Sequence, residues 1–155
     1  MATLASNTNT YAADNAGPYA YTPAQNLFTL IGRVLIGILF VPSGFGKLMG
    51  FAGVVGYIQS KGVPMAEVAA AIAVFCELGL ALALLVGFQA RWAALGLAIF
   101  VAVITPIFHN YWAVPDAQIA MQKLNFFKNY AITGGLLAFA AFGAGGWSLD
   151  GRRRT

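Results

Sequence analysis

The side chains most able to do chemistry sit where charge is least expected. Glu77 lies inside AAAIAVFCELGLALALLVGF, residues Ala69 to Phe88, with apolar residues for a turn or more on each side. At the centre of a membrane helix an unpaired charge costs at least ~2.5 kcal/mol. Glu77 is therefore expected to face the interior of a helix bundle, either paired with a cation or carrying a proton. Arg33, in the preceding apolar run, is the expected partner. At 1.5 Å per residue, Glu77 lies roughly 16 Å and Arg33 roughly 9 Å from the same membrane face. Two long side chains can close that gap, so the expectation is a direct guanidinium–carboxylate contact. The alternative for Arg33 is to snorkel to the interface. Such a carboxyl can bond a polar ligand head or relay protons; at the least, the bridge fixes helix packing.

A second group lies at the other helix ends. Lys47 closes the first apolar run in PSGFGKL, and His109 closes the third in FHNYW beside Tyr111 and Trp112. Lys128 and Asn129 open the fourth in FFKNY. In a bundle these ends meet on one rim. Cations, an imidazole and Trp112 there suit an anion, or the carbonyls of a quinone ring stacked on aromatics. The ordinary reading is interfacial anchoring, which Lys and Trp often provide. The residues hypothesised to bind a ligand are thus Glu77, Arg33, Lys47, His109, Trp112, Lys128 and Asn129. No catalytic residue and no metal ligand set is assigned.

The elements that position these groups follow from composition. Of 155 residues, 59% are hydrophobic and 9% charged, against about 25% charged in ordinary soluble domains. A chain of about 150 residues buries only about 70% of its surface, so the bilayer is its natural solvent. The net charge of +4 forms no basic stripe, and three of the cations are the terminal Arg152, Arg153 and Arg154; nucleic acid is not an expected partner. Cys76 is the single cysteine. With no CxxC pair and no haem-attachment motif, electron chemistry would need a bound cofactor or a partner chain. No covalently bound cofactor is expected.

Residues 1–25 read as a flexible polar arm without the basic start and apolar centre of a signal peptide. Residues 26–150 form the membrane domain and 151–155 a basic tail. Four apolar runs, Leu27–Phe45, Val68–Phe88, Trp92–Phe108 and Tyr130–Gly146, are each near the ~20 residues that span hydrocarbon. They predict an all-α, integral membrane four-helix bundle. The short turn at Gln89–Arg91 makes a tight hairpin, and two long loops, Gly46–Glu67 and His109–Asn129, share the opposite face. Pro42 and Pro106 should bend the outer helix ends. Arg33, Arg91 and the Arg tail lie on one side, and Lys47, Lys61, Lys123 and Lys128 on the other. The positive-inside bias then puts both termini in the cytoplasm. Small residues at helical spacing, Ala94, Ala98 and Ala102 and then Ala131, Gly134, Gly135 and Ala138, predict close packing within the bundle.

These segments together resemble a known family. RVLIGILFVPSGFGKL, KGVP, CELGLALALLVGF, QARWAALGLAIF, FHNYW, KNYAITGGLLAF and GAGGWSLD occur in that order from Arg33 to Asp150. The set is similar to the DoxX family of small bacterial membrane proteins. The resemblance implies a four-helix inner-membrane protein. It also implies kinship with the small subunit of a thiosulfate:quinone oxidoreductase and with membrane redox and thiol-stress complexes. The family pattern carries over to Arg33, Gly44, Lys47, Glu77, Gly87, His109, Lys128, Asn129, Trp147, Ser148, Leu149 and Asp150.

Three functions follow as expectations. One is a quinone-binding subunit of a redox complex, with electrons supplied by a partner; the chain would then not be an enzyme by itself. Another is an accessory subunit docked on a larger membrane complex or on copies of itself. The last is a small proton-coupled transporter using Glu77.

Overall fold

The structure, a computed structural model, describes residues 21–153. Most of the expected N-terminal arm (residues 1–20) and the end of the Arg tail, Arg154 included, lie outside the described residues. Every regular element among the described residues is helical. Three stretches are long and apolar enough to cross a membrane: Pro23–Met49, Ala66–Val86 and Ala90–Ala113. The protein is an all-α membrane protein. A fourth long helix, Asp116–Phe142, is polar through its first half.

Helix α1 (Pro23–Met49) starts four residues earlier than the apolar run. Thr22 and Gln25 form a capping box: Gln25 N–H donates to Thr22 Oγ at 3.2 Å, and Thr22 N–H donates to Gln25 Oε1 at 2.8 Å. Pro23 sits at the first helical position, where its missing N–H costs nothing. Pro42 is absorbed within α1 without ending it.

The long loops are largely helical, which corrects their reading as loops. After Gly50 the chain continues as α2 (Phe51–Ser60). Helix α6 (Asp116–Phe142) begins immediately after Pro115, far upstream of Tyr130. Glycines and a proline here set helix boundaries and leave the intervening residues free to coil.

The second span is built of α3 (Ala66–Val74), a π-helical turn over Phe75–Leu80, and α4 (Ala81–Val86). It is followed by α5 (Ala90–Phe108), the central helix, whose Ala90, Ala93, Ala94, Leu97, Ala98 and Val101 are all buried. Small side chains there let α4 and α6 approach closely. The corresponding stripe on α6 behaves differently. Ala131, Gly134, Gly135 and Ala138 all face outward, and only Leu136 of that helix is buried. The stripe does not pack within the bundle as expected, because the apolar bulk of Leu136 and Phe139 takes the inner face instead.

One end of the bundle is closed by a clasp. Gly87 adopts φ +73° and ends α4, with Phe88 N–H bonded to Ala83 O at 2.8 Å, the Schellman arrangement. Arg33, only 1% exposed, donates Nη1 to Leu85 O and Nη2 to Trp147 O, both at 2.6 Å. The guanidinium thus rests on the carbonyl-rich, negative end of α4. Asp150 does the converse for α5: its carboxylate accepts Gln89 N–H at 2.9 Å and Ala90 N–H at 2.8 Å. Helix α7 (Leu149–Arg152) completes the clasp through Asp150 N–H to Gly87 O, 2.8 Å.

Two glycines on this frame should respond in opposite ways. A Cβ on Gly87 would stand 2.3 Å from Ser148 Cβ. Gly87→Ala is expected to cost about 2 kcal/mol or more through overpacking and left-handed strain. Gly134 has open space around it, so Gly134→Ala is expected to be neutral or to stabilise by up to ~1 kcal/mol. Thermal unfolding in detergent followed by circular dichroism reads both; equal shifts would contradict the clasp.

Candidate functional site

Arg33 and Glu77 do not meet. The partner of Glu77 is Lys47, whose Nζ lies 2.6 Å from Oε2 in an ion pair. The reason lies in side-chain direction. Side chains on a helix lean toward its N-terminus, and α1 runs antiparallel to the second span. Lys47 therefore leans inward toward Glu77, and Glu77 leans outward toward Lys47. Arg33 leans away, into the clasp. Gly37 packs against Leu85 and Gly44 against Glu77 and Leu78, so Arg33 stands roughly 16 Å short of Glu77 along the bundle axis and Lys47 only roughly 4.5 Å beyond it. The two opposed leans close that remaining difference.

The backbone at Glu77 is equally particular. It lies in the π turn over Phe75–Leu80, a form that often marks functional positions. Gly44 of α1 lies directly against this turn. A Cβ there would come within 2.7 Å of Leu78 N and 2.8 Å of the Glu77 carbonyl carbon. Glu77 is 5% exposed, whereas the Lys47 side chain keeps 30%. Lys47 also donates to Ser43 Oγ, one turn earlier, at 2.8 Å.

The pair forms part of the wall of a cavity of ≈ 770 Å³ in the half of the bundle remote from the clasp, called its outer half below. Lys47, Glu77, His109, Lys128 and Asn129 all line it, so two groups that the sequence placed at different depths become one site. His109 Nδ1 shares a hydrogen bond with Gln122 Oε1 at 2.8 Å. Lys128 Nζ donates to Asn125 Oδ1 at 3.0 Å. Apart from Ser43 and Asn125, the remaining lining is apolar or aromatic and includes Phe40, Phe100, Ile104, Phe108 and Tyr57. Tyr57 stacks on Phe108 with ring centroids 5.6 Å apart.

Two expected site residues fall outside this cavity. Arg33 belongs to the clasp at the opposite end. Trp112 is exposed and packs edge-on against Tyr111 and Phe126 in an aromatic cluster at the end of the bundle away from the clasp. Ser43, Gln122 and the Tyr57–Phe108 stack were not singled out from the sequence. Ser43 stands four residues before Lys47, the spacing at which helical neighbours meet, and that signal was available. The other two depend on α2 and α6 being helical.

The site holds two lysines and one carboxylate. It can donate hydrogen bonds from Lys47, Asn129 and His109, and it offers one carboxylate oxygen beside an ammonium. The surrounding apolar wall strengthens such polar contacts by keeping water away.

The chain has relatives among known membrane proteins. The DoxX family model matches residues 28–110, which includes Lys47, Glu77 and His109. The chain is similar to the inner membrane protein YphA of Escherichia coli (strain K12), 35% identical over 134 residues, covering 86% of this chain and 96% of that protein. It is also similar to the inner membrane protein YqjF of the same organism, 35% identical over 126 residues, covering 81% of this chain and 92% of that protein. No solved structure matches.

The ion pair has a distinctive mutational signature. Lys47→Met leaves Glu77 buried without its cation and is expected to cost about 3 kcal/mol. Replacing both, Lys47→Met with Glu77→Leu, should recover most of that stability. Denaturation of the single and double variants in the same detergent measures the coupling. Additive losses would show that the two side chains do not depend on each other.

Proposed function

The chain belongs to the DoxX family of membrane proteins, and from that premise we propose that it binds the head group of a quinone in its outer cavity, as an inner-membrane subunit of a quinone-linked redox complex. The observation that carries this reading is the Lys47–Glu77 pair set into the wall of a largely apolar cavity of ≈ 770 Å³. Small-molecule sites have this character: mostly apolar walls, a few convergent polar groups and volumes of roughly 300–1,000 Å³.

The residues fit a ring bearing carbonyls. Lys47 Nζ and the Asn129 amide donate hydrogen bonds to carbonyl oxygens, and Phe108, already stacked on Tyr57, offers an aromatic face. When bound, a quinone supplies a carrier for electron pairs and protons, with the electrons coming from a partner chain. Glu77 is the group placed to hold or pass a proton beside the head, and Lys47 is its ion-pair partner. His109, tethered by Gln122, orients toward the same space from the end of α5. The clasp and the arginines then face the cytoplasm, following the positive-inside bias of Arg33, Arg91, Arg152 and Arg153.

A second reading, docking as an accessory subunit, is favoured by the outward stripe Ala131, Gly134, Gly135 and Ala138 on α6. Small residues on a lipid-facing helix suit close approach by another helix. Replacing Gly135 by Leu should then reduce the amount of any larger complex recovered with the protein in mild detergent, without affecting ligand content.

The quinone reading is tested by mild purification from the native membrane and mass spectrometry of the extracted small molecules. Quinone is expected in the wild type and depleted in Lys47→Met and in the milder His109→Ala. Wild-type protein that stays folded and monodisperse yet carries no quinone, and binds none when it is added back, overturns the proposal.

A further inference from the structure

The shape of the same cavity says how a ligand reaches it, an inference that rests on the reading above. Apart from His109 and Tyr57, its polar groups stand together on the α1, π-turn and α6 side. The rest of the wall extends between α3 and α5, where Ile72, Ile99, Val103 and Ile107 line it. These four are not core residues. Ile72 is 52% exposed, and Ile99 and Val103 are each 56% exposed, on spans whose surroundings are hydrocarbon. The cavity wall and the lipid-facing surface are therefore made of the same side chains, and the gap between α3 and α5 is a lateral window.

The route from the water side passes beside α2. Helix α2 contributes Val54, Tyr57 and Ile58 to the lining. Ile58 is buried in a small apolar cluster with Ala66 and Ala70, packed by Val63 and Phe108. That cluster ties α2 to the start of α3 and the end of α5, across the outer end of the cavity.

Volume supports the same conclusion. A quinone ring alone occupies only part of ≈ 770 Å³. The remainder is apolar, where water gains few partners and an unfilled wall loses dispersion contacts. A hydrocarbon tail fills that space and leaves through the window into lipid, where it costs nothing to solvate. We infer that the site takes a membrane-resident, isoprenoid-tailed quinone, with the head at Lys47 and Glu77 and the tail passing between α3 and α5 over Ile72, Ile99, Val103 and Ile107.

The window can be narrowed from its lipid side. Ile99→Trp and Val103→Trp add bulk at exposed positions, so both variants are expected to fold; matching detergent melting curves and monodispersity check this. Equilibrium binding is then measured on the full chain with radiolabelled probes: a long-tailed quinone, the same ring without a tail, and a long-chain fatty acid as competitor. Narrowing is expected to weaken the long-tailed quinone by about tenfold or more, since the tail must then crowd against the added indole. The tail-less ring should bind the variants as it binds the wild type, and the fatty acid should compete less well in the variants. Long-tailed and tail-less quinones that both bind wild type and both ignore the Trp substitutions overturn the window but leave the quinone site standing. Loss of both probes together in folded variants also overturns the window, since the head would then be what the lip residues hold. Absence of binding by either quinone to wild type removes the site itself, and the window with it.

Discussion

A charge in hydrocarbon must find its neutraliser inside the protein, and that constraint shapes each end of this bundle. Lys47 and Glu77 meet directly at 2.6 Å. Arg33 uses the carbonyls that end α4 together with Trp147 O. Asp150 uses the free N–H groups that begin α5. The latter two exploit the same tight turn from opposite sides: the end of one helix is electrically negative and the start of the next positive. A hairpin of two apolar helices thereby binds a cation and an anion without either touching the other.

The two ends of the molecule consequently have different characters. At the clasp, Gly87, Ser148 and Arg33 are packed so closely that a single added carbon has no room. At the outer end, α3 and α5 part around a cavity, and the polar groups lining it include hydrogen-bonding capacity beyond what the fold consumes. Tight packing at the clasp holds the helices in register, so that the outer ends can part without the bundle losing its alignment. The outward-facing stripe on α6 belongs to neither end and leaves one long side of the bundle smooth.

Much of this was legible in the sequence, and the failures have specific causes. The interior position of Glu77 followed from the cost of exposing it to lipid. The gathering of Lys47, His109, Lys128 and Asn129 followed from counting helix ends. The partner of Glu77 did not follow, because the depth count took the apolar runs as the helix bounds and set Arg33 too close, whereas Gly44 packs against Glu77 and leaves Lys47 nearest to its level, where the opposed leans of the two side chains meet. The start of α1 was hidden for another reason: Thr22, Gln25 and Asn26 read as polar chain, although the first two cap the helix and Asn26 accepts Gly146 N–H at 2.6 Å. Small residues at helical spacing mark a face without saying what covers it. Hence the stripe on α5 is buried and the one on α6 is not.

The π turn at Phe75–Leu80 can be regarded as one residue more than a regular α-helix would use over the same rise. At 3.6 residues per turn, one residue corresponds to about 100° of rotation. By taking up that residue within its six positions, the turn spares the rest of the span this rotation. The outer half presents Ala73 and Glu77 to the cavity, and the inner half turns Leu84 into the core and offers Leu85 O to Arg33. A single-residue deletion in this turn would restore a regular helix and leave the two halves facing their present partners. The extra residue is thus a local widening at Glu77, and the alignment of site and clasp is carried by the regular turns on either side of it.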